Sequence, residues 1–155
     1  MVLARSHILV VDDHVDAADS TVELLSIWGY DAIACYNCAA ALECASICRP
    51  DVVLLDLAMP RMDGFQFARL FHNLFGCGLI PIMAQSGYPS AEYRVRARAA
   101  GIHAYLLKPA EPALLKSLLV RTVLARAVSR AKRQTPGGVA TQLCSVLTEG
   151  ELVGA

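Results

Sequence analysis

The sequence predicts an α/β fold in which five strands form a parallel sheet covered by helices on both faces. Five short aliphatic runs alternate strictly with five stretches of helical periodicity, the pattern of repeated β-α units. The middle run, Val52-Val53-Leu54-Leu55, is apolar without interruption, as a strand buried on both faces must be. It ends on Asp56, and Pro60 and Gly64 then turn the chain. In open α/β sheets the carboxyl ends of strands are where ligands bind, so Asp56 is presented where chemistry usually sits.

Each element has its own signal. His7 to Val11 is a first strand ending in Asp12-Asp13, after which Ala17, Ala18, Val22, Leu24 and Leu25 recur at helical spacing up to a stop at Gly29. Tyr30 to Cys35 reads as the second strand and Ala39 to Cys48 as a short helix, closed by Arg49-Pro50 because proline disfavours helix in the residue before it. Asp51 to Asp56 is the third strand. From Gly64, the residues Phe65, Ala68, Leu70, Phe71 and Leu74 line one face of a helix that ends around Gly76 and Gly78. Leu79 to Gln85 follows as the fourth strand, with Ser86 and Gly87 at its end. Ala91 to Ala100 is a polar surface helix carrying Arg94, Arg96 and Arg98, stopped by Gly101. His103 to Leu107 is the fifth strand, ended by Lys108-Pro109. Pro112 to Lys132 is a long helix with Leu114, Leu115, Leu118, Leu119 and Val123 towards the body and Arg121, Arg126, Arg130 and Arg133 making it basic towards its end.

Composition narrows the class. With 155 residues the chain accommodates one domain and a tail, divided as 1–133 and 134–155. At 55% hydrophobic and 18% charged residues with net charge +0, bulk charge points to neither nucleic acid nor a membrane surface. No apolar run reaches a membrane span and Met1 to His7 has no signal-peptide core, so a cytoplasmic protein is expected. Cys35 and Cys38 have a C-x2-C spacing, and Cys44 and Cys48 follow four apart in an Ala-rich helix. No histidine or second C-x2-C completes a tetrahedral set, so the cysteines read as small apolar packing residues. His7, His14, His72 and His103 have no acid or nucleophile at motif spacing, and no chemistry is assigned to them.

Taken singly, each polar strand end has an ordinary structural role available. Asp12 or Asp13 would cap a helix, Ser86 would serve a turn, Tyr105 would be a half-buried strand aromatic and Lys108 a surface lysine. As an ordered set they resemble the receiver domains of bacterial two-component response regulators, over residues 6 to 125. The resemblance is carried by Asp12-Asp13, by Asp56 within Leu-Asp-Leu-Ala-Met-Pro-Arg-Met-Asp-Gly, by Ser86, by Tyr105 and by Lys108-Pro109. The stretches Ala84 to Tyr88 and Ala100 to Pro109 are similar to receivers attached to hybrid sensor kinases. The resemblance implies a doubly wound, flavodoxin-like sheet of strand order 2-1-3-4-5, with Asp56 as phosphoacceptor and a cis Lys108-Pro109 peptide. It also implies a Tyr105 that turns inward from a solvent-facing rotamer on activation.

The chemistry of these residues agrees with that role. Three carboxylates converging at strand ends repel one another and favour a hard divalent cation with oxygen ligands, and Mg2+ is the cation expected. Asp13 and Asp56 would ligate it, Asp12 would hold its waters, and by resemblance the backbone carbonyl of Ala58 adds a ligand. Lys108 would pair with phosphoryl oxygens and Ser86 would donate to one of them. The implied function is a phosphoacceptor signalling module rather than an enzyme. It would take its phosphoryl group from a histidine kinase or histidine phosphotransfer protein, and its fourth helix, fifth strand and fifth helix would form a docking or homodimer face.

Two departures from the family pattern qualify this. Ala58 stands where many receivers carry a larger or polar side chain, which bears on the lifetime of the phosphorylated state, and Gly87 leaves an open approach after Ser86. A pseudo-receiver acting only through protein contacts is the alternative. A haloacid-dehalogenase-type phosphatase would need a second acid where Ala58 stands. A nucleotide-binding enzyme would need glycines where Asp12-Asp13-His14-Val15 stands. Thr135-Pro136-Gly137-Gly138 reads as a linker, and Val139 to Ala155 is too short for a helix-turn-helix output domain, so no direct contact with nucleic acid is expected.

Overall fold

The computed structural model describes residues 5–134. The elements alternate as β1 (His7–Val11), α1 (Val15–Ile27), β2 (Asp31–Cys35), α2 (Cys38–Cys48), β3 (Val52–Asp56), α3 (Gly64–Phe75), β4 (Ile82–Ser86), α4 (Ala91–Ala99), β5 (Ala104–Leu107) and α5 (Pro112–Gln134). All pairings are parallel, in the order β2-β1-β3-β4-β5. Among the described residues no helix is long and apolar enough to cross a membrane.

Strand alternation divides the interior into two cores. Leu9, Val11, Val53, Leu55, Ile82 and Ala84 face α2, α3 and α4, where they meet Ala41, Ala45, Phe65, Phe71 and Ala97. Ile8, Val10, Val52, Leu54, Met83 and Leu106 point the other way, onto Ala18 and Leu25 of α1 and Leu115 and Leu119 of α5. All five residues of β3 are buried, which explains why that run has no polar alternation. Register sets the carboxyl ends nearly level: Val11 pairs with Cys35 and Leu55, Asp56 with Gln85, and Ser86 with Leu107.

The differences from the sequence reading lie at element ends and on one face. Leu79 belongs to the turn after α3, where its amide donates to the Gly76 carbonyl at 3.3 Å. β4 starts at Ile82 because Pro81 has no N–H to donate to a ladder, although its carbonyl accepts from Val53 at 3.0 Å. Ser86 is inside the strand rather than beyond it. Ala17 is exposed, since α1 buries the stripe through Ala18 and Leu25 instead. The basic side of α5 is partly engaged: Arg126 Nε and Arg130 Nη1 reach Asp51 Oδ1 at 3.2 and 3.3 Å, tying the helix to the start of β3. The tail expected from 134 onwards falls, after Gln134, outside the described residues.

Candidate functional site at the carboxyl edge of the sheet

Three strand ends and the loops after them build the site. β1 delivers Asp12, which is buried and whose amide donates to the Cys35 carbonyl at 3.1 Å, so the acid pair leaves the sheet from a fixed position. The Asp12 carboxylate accepts from the His14 amide at 2.9 Å, a local turn that holds its Oδ1. β3 delivers Asp56, also buried, with Oδ1 accepting from the Ala58 amide at 3.1 Å. Behind Asp56 the chain passes close to its own helix. A Cβ at Gly64 would lie 2.7 Å from Leu57 Cα and 2.8 Å from the Asp56 carbonyl oxygen, so glycine is required by contact rather than by φ. Asp63 and Gln66 then start α3 with a reciprocal capping box.

β5 delivers Lys108, followed by a cis bond to Pro109. Its amide donates to the Ser86 carbonyl at 2.9 Å, and its ammonium lies 2.8 Å from Asp12 Oδ2 and 3.3 Å from Asp56 Oδ2. Partial burial works against the lysine charge, but the hydrogen bond to Asp12 and the adjacent Asp56 carboxylate outweigh it. The Lys108 pKa therefore stands above the ordinary lysine value. One ammonium thus bridges two acids from different strands.

Asp13 is left over. Its Oδ1 is buried and makes no hydrogen bond among the described residues, while Asp12, Asp13, His14 and Asp56 bring donor atoms within 4.8 Å of one another. A buried carboxylate oxygen without a hydrogen bond, facing two further carboxylates, fits a hard divalent cation. His14 was missed by the sequence reading. Its Nδ1 lies 3.3 Å from Asp13 Oδ1 and 3.4 Å from Asp12 Oδ1, so the histidine given no chemistry belongs to this cluster. Adjacency to the acid pair was the available signal.

Ser86 and Tyr105 sit on one connected path. Ser86 is fully buried, and its Oγ accepts from the Tyr88 amide at 3.2 Å. The Tyr105 hydroxyl donates to the Tyr88 carbonyl, and the Arg94 guanidinium stands over its ring at 5.9 Å. The expected solvent-facing rotamer of Tyr105 is therefore corrected: the residue is 6% exposed and already turned inward. A hydroxyl acceptor on the Tyr88 backbone outcompetes water for the phenol once the ring is buried. Tyr88 in turn stacks on Tyr93 of α4, with ring centroids 5.4 Å apart.

Known proteins resemble this chain in sequence and in fold. Protein Rrf1 of Nitratidesulfovibrio vulgaris is 33% identical over 118 residues, 76% of this chain and 83% of Rrf1. The transcriptional regulatory protein PrrA of Mycobacterium tuberculosis is 31% identical over 147 residues, 94% of this chain but 57% of PrrA, so the chain spans little more than half of that protein. In structure it is similar to the chemotaxis response regulator CheY4 of Vibrio cholerae, with TM-score 0.73 and 28% identity over 77% of this chain and 99% of CheY4. A CheY-like receiver domain protein of Methanospirillum hungatei superposes with TM-score 0.75 and 25% identity, over 81% of this chain and 99% of its own. Residues 8–120 match the response regulator receiver domain from β1 into α5, and with the acid pair, Asp56 and Lys108 gathered at one sheet edge, the chain belongs to that family.

Proposed function

We propose that the chain is a phosphoacceptor signalling module, taking a phosphoryl group from a phosphohistidine onto Asp56 and passing the change to a protein partner. One observation carries the reading: Asp56 is buried at the end of β3, with one oxygen on the Ala58 amide, the other near the Lys108 ammonium, and an Asp13 oxygen beside it that makes no hydrogen bond. An Asp56 carboxylate oxygen attacks phosphorus in line. The P–O bond forms as the P–N bond to the donor imidazole breaks, and the imidazole leaves with its electron pair and takes up a proton.

This chain's own groups do the positioning. Lys108 is already held at the site by Asp12 and swings its ammonium to the phosphoryl oxygens as charge builds on them. Ser86 Oγ can keep its bond from the Tyr88 amide and still donate its own hydrogen to a phosphoryl oxygen. Asp13 and Asp56, with the Ala58 carbonyl, would hold Mg2+, and Asp12 its waters; the cation supplies charge neutralisation and orientation. His14 lies against the same acids.

The signal would leave through Ser86, Tyr88 and Tyr105. A phosphoryl group adds about −1.5 to −2 charge and strong acceptors at Asp56, so Ser86 is drawn towards it and the loop to Tyr88 follows. Tyr105 starts inward here, so the change at α4, β5 and α5 comes from the loop shifting its hydroxyl acceptor, not from the ring leaving solvent. A histidine kinase or phosphotransfer protein in the cytoplasm is the proposed donor, and the same α4, β5, α5 face is the proposed site for a target or a second copy.

The test is intact mass after incubation with acetyl phosphate and Mg2+. One phosphoryl group is expected in the wild type and none in Asp56→Asn. Full labelling of that variant overturns the acceptor; no labelling of the wild type by any small donor or kinase favours the pseudo-receiver reading.

A further inference from the structure

A second cluster of ligating side chains lies away from the phosphoacceptor site, at the outer edge of the sheet. The C-x2-C pair does not form it. Cys38 turns to the loop before α3, with its Sγ 3.8 Å from the Met62 carbonyl. Cys44 and Cys48, one helical turn apart on α2, instead bring their sulfurs to 3.7 Å. Cys35, at the end of β2, belongs to the buried core against which Cys44 packs. Cys44 and Cys48 are half-buried while Cys35 is buried, so the group opens outward along α2.

The separation discriminates between the two chemistries a thiol pair offers. A disulfide needs sulfurs at about 2.0 Å and Cβ atoms within about 3.5–4.5 Å, whereas Cβ atoms at i and i+4 of a helix stand about 5–6 Å apart. Closing that bond would unwind α2. Two metal–sulfur bonds of about 2.3 Å opened to a tetrahedral angle, by contrast, separate their sulfurs by about 3.8 Å. The pair already has that bite.

We propose that Cys44 and Cys48 form a capture site for one soft, thiophilic d10 cation of the Cd2+, Zn2+ or Cu+ class. Water would complete the coordination shell, and the soft thiolates select such ions over Mg2+. Burial, reinforced by the neighbouring thiols, pushes Cys35 up to about 12 and Cys48 to about 11, so both are thiols at neutral pH. Protonated sulfur is a poor nucleophile, which protects the cluster from oxidation, and a soft cation displaces those protons directly. Each sulfur of the Cys44–Cys48 pair releases one proton to solvent as it binds.

The experiment is a Cd2+ titration of the full, reduced chain in excess Mg2+, which occupies the acidic pocket, following the near-ultraviolet thiolate-to-metal absorption. One saturating equivalent is expected. Cys44→Ala and Cys48→Ala should each weaken binding at least tenfold, while Cys38→Ala, Cys77→Ala and Cys144→Ala bind as wild type. Alanine suits the Ala-rich α2, and circular dichroism verifies folding. Absence of a saturable band, its survival in the Cys44/Cys48 double variant, or its loss with Cys38, Cys77 or Cys144 overturns the proposal. Labelling of Asp56 is a separate readout, so either conclusion can fail alone.

Discussion

Gly64→Ala tests the close approach of α3 to the phosphoacceptor strand. The added Cβ would sit 2.7 Å from Leu57 Cα and 2.8 Å from the Asp56 carbonyl oxygen. Non-bonded carbons prefer about 3.5–4.0 Å, so contact must open by roughly 0.8 Å or more. Both obstructing atoms are backbone, and relief therefore moves the end of β3 or the start of α3. Overpacking of this kind costs about 1–3 kcal/mol, and rigid neighbours place it towards the upper end. The better helix propensity of alanine returns at most about 1 kcal/mol. A net loss of about 2 kcal/mol should lower Tm by about 5–10 °C for a domain of this size. Because the displaced strand end carries Asp56, labelling by acetyl phosphate should slow by about tenfold to a hundredfold, the cost of a misplacement near 1 Å. Gly87→Ala is the control, with nothing within 4 Å of its Cβ and an expected change under about 0.5 kcal/mol. Thermal melts and labelling rates on the three proteins decide the matter. A Gly64→Ala protein that melts within about 1 °C of wild type and labels at the same rate refutes the contact argument.

Further outcomes follow from the same geometry. Lys108→Met strips the ammonium from two buried carboxylates. In Mg2+-free buffer it should cost about 1–3 kcal/mol in urea unfolding, a figure reduced for the partial exposure of Lys108, and it should slow labelling at least tenfold. Mg2+ should raise wild-type stability by about 1.4 kcal/mol at ten times its Kd, and Asp13→Ala should erase that gain; equal gains in both proteins would move the cation elsewhere. His103, whose Nδ1 accepts from the Ile82 amide, is held below the ordinary histidine range by desolvation and by His72, so the unfolded chain takes up its proton first on acidification. Its contribution is complete above the unfolded value of about 6.5 and falls away as pH drops from there through the folded value. The urea midpoint of the wild type should decline more steeply from pH 7.5 to 5.5 than that of His103→Gln; parallel declines would remove His103 from the account.

What the sequence determined by itself was the order of elements and the chemistry at their ends. Strict β-α alternation leaves little choice of architecture, because parallel strands need crossovers and right-handed crossovers put helices on both faces. An apolar run such as Val52 to Leu55 has nowhere to go but the centre of the sheet. Asp12, Asp13, Asp56 and Lys108 could be singled out because they stand at strand ends, which converge in such a sheet, and because as an ordered set they resemble a receiver domain. Tertiary structure decided everything that depends on direction and distance. Helical phase split Cys38 from Cys35 and joined Cys44 to Cys48, a pairing that the C-x2-C spacing conceals. The turn after β1 folded His14 back over the acids, although periodicity marks it only as a residue before a helix. The inward Tyr105 depends on the Tyr88 carbonyl, a backbone acceptor from a neighbouring loop with no sequence signature. Local propensity and burial are written along the chain, whereas the rotamer of a side chain is settled by partners that only the assembled sheet brings within reach.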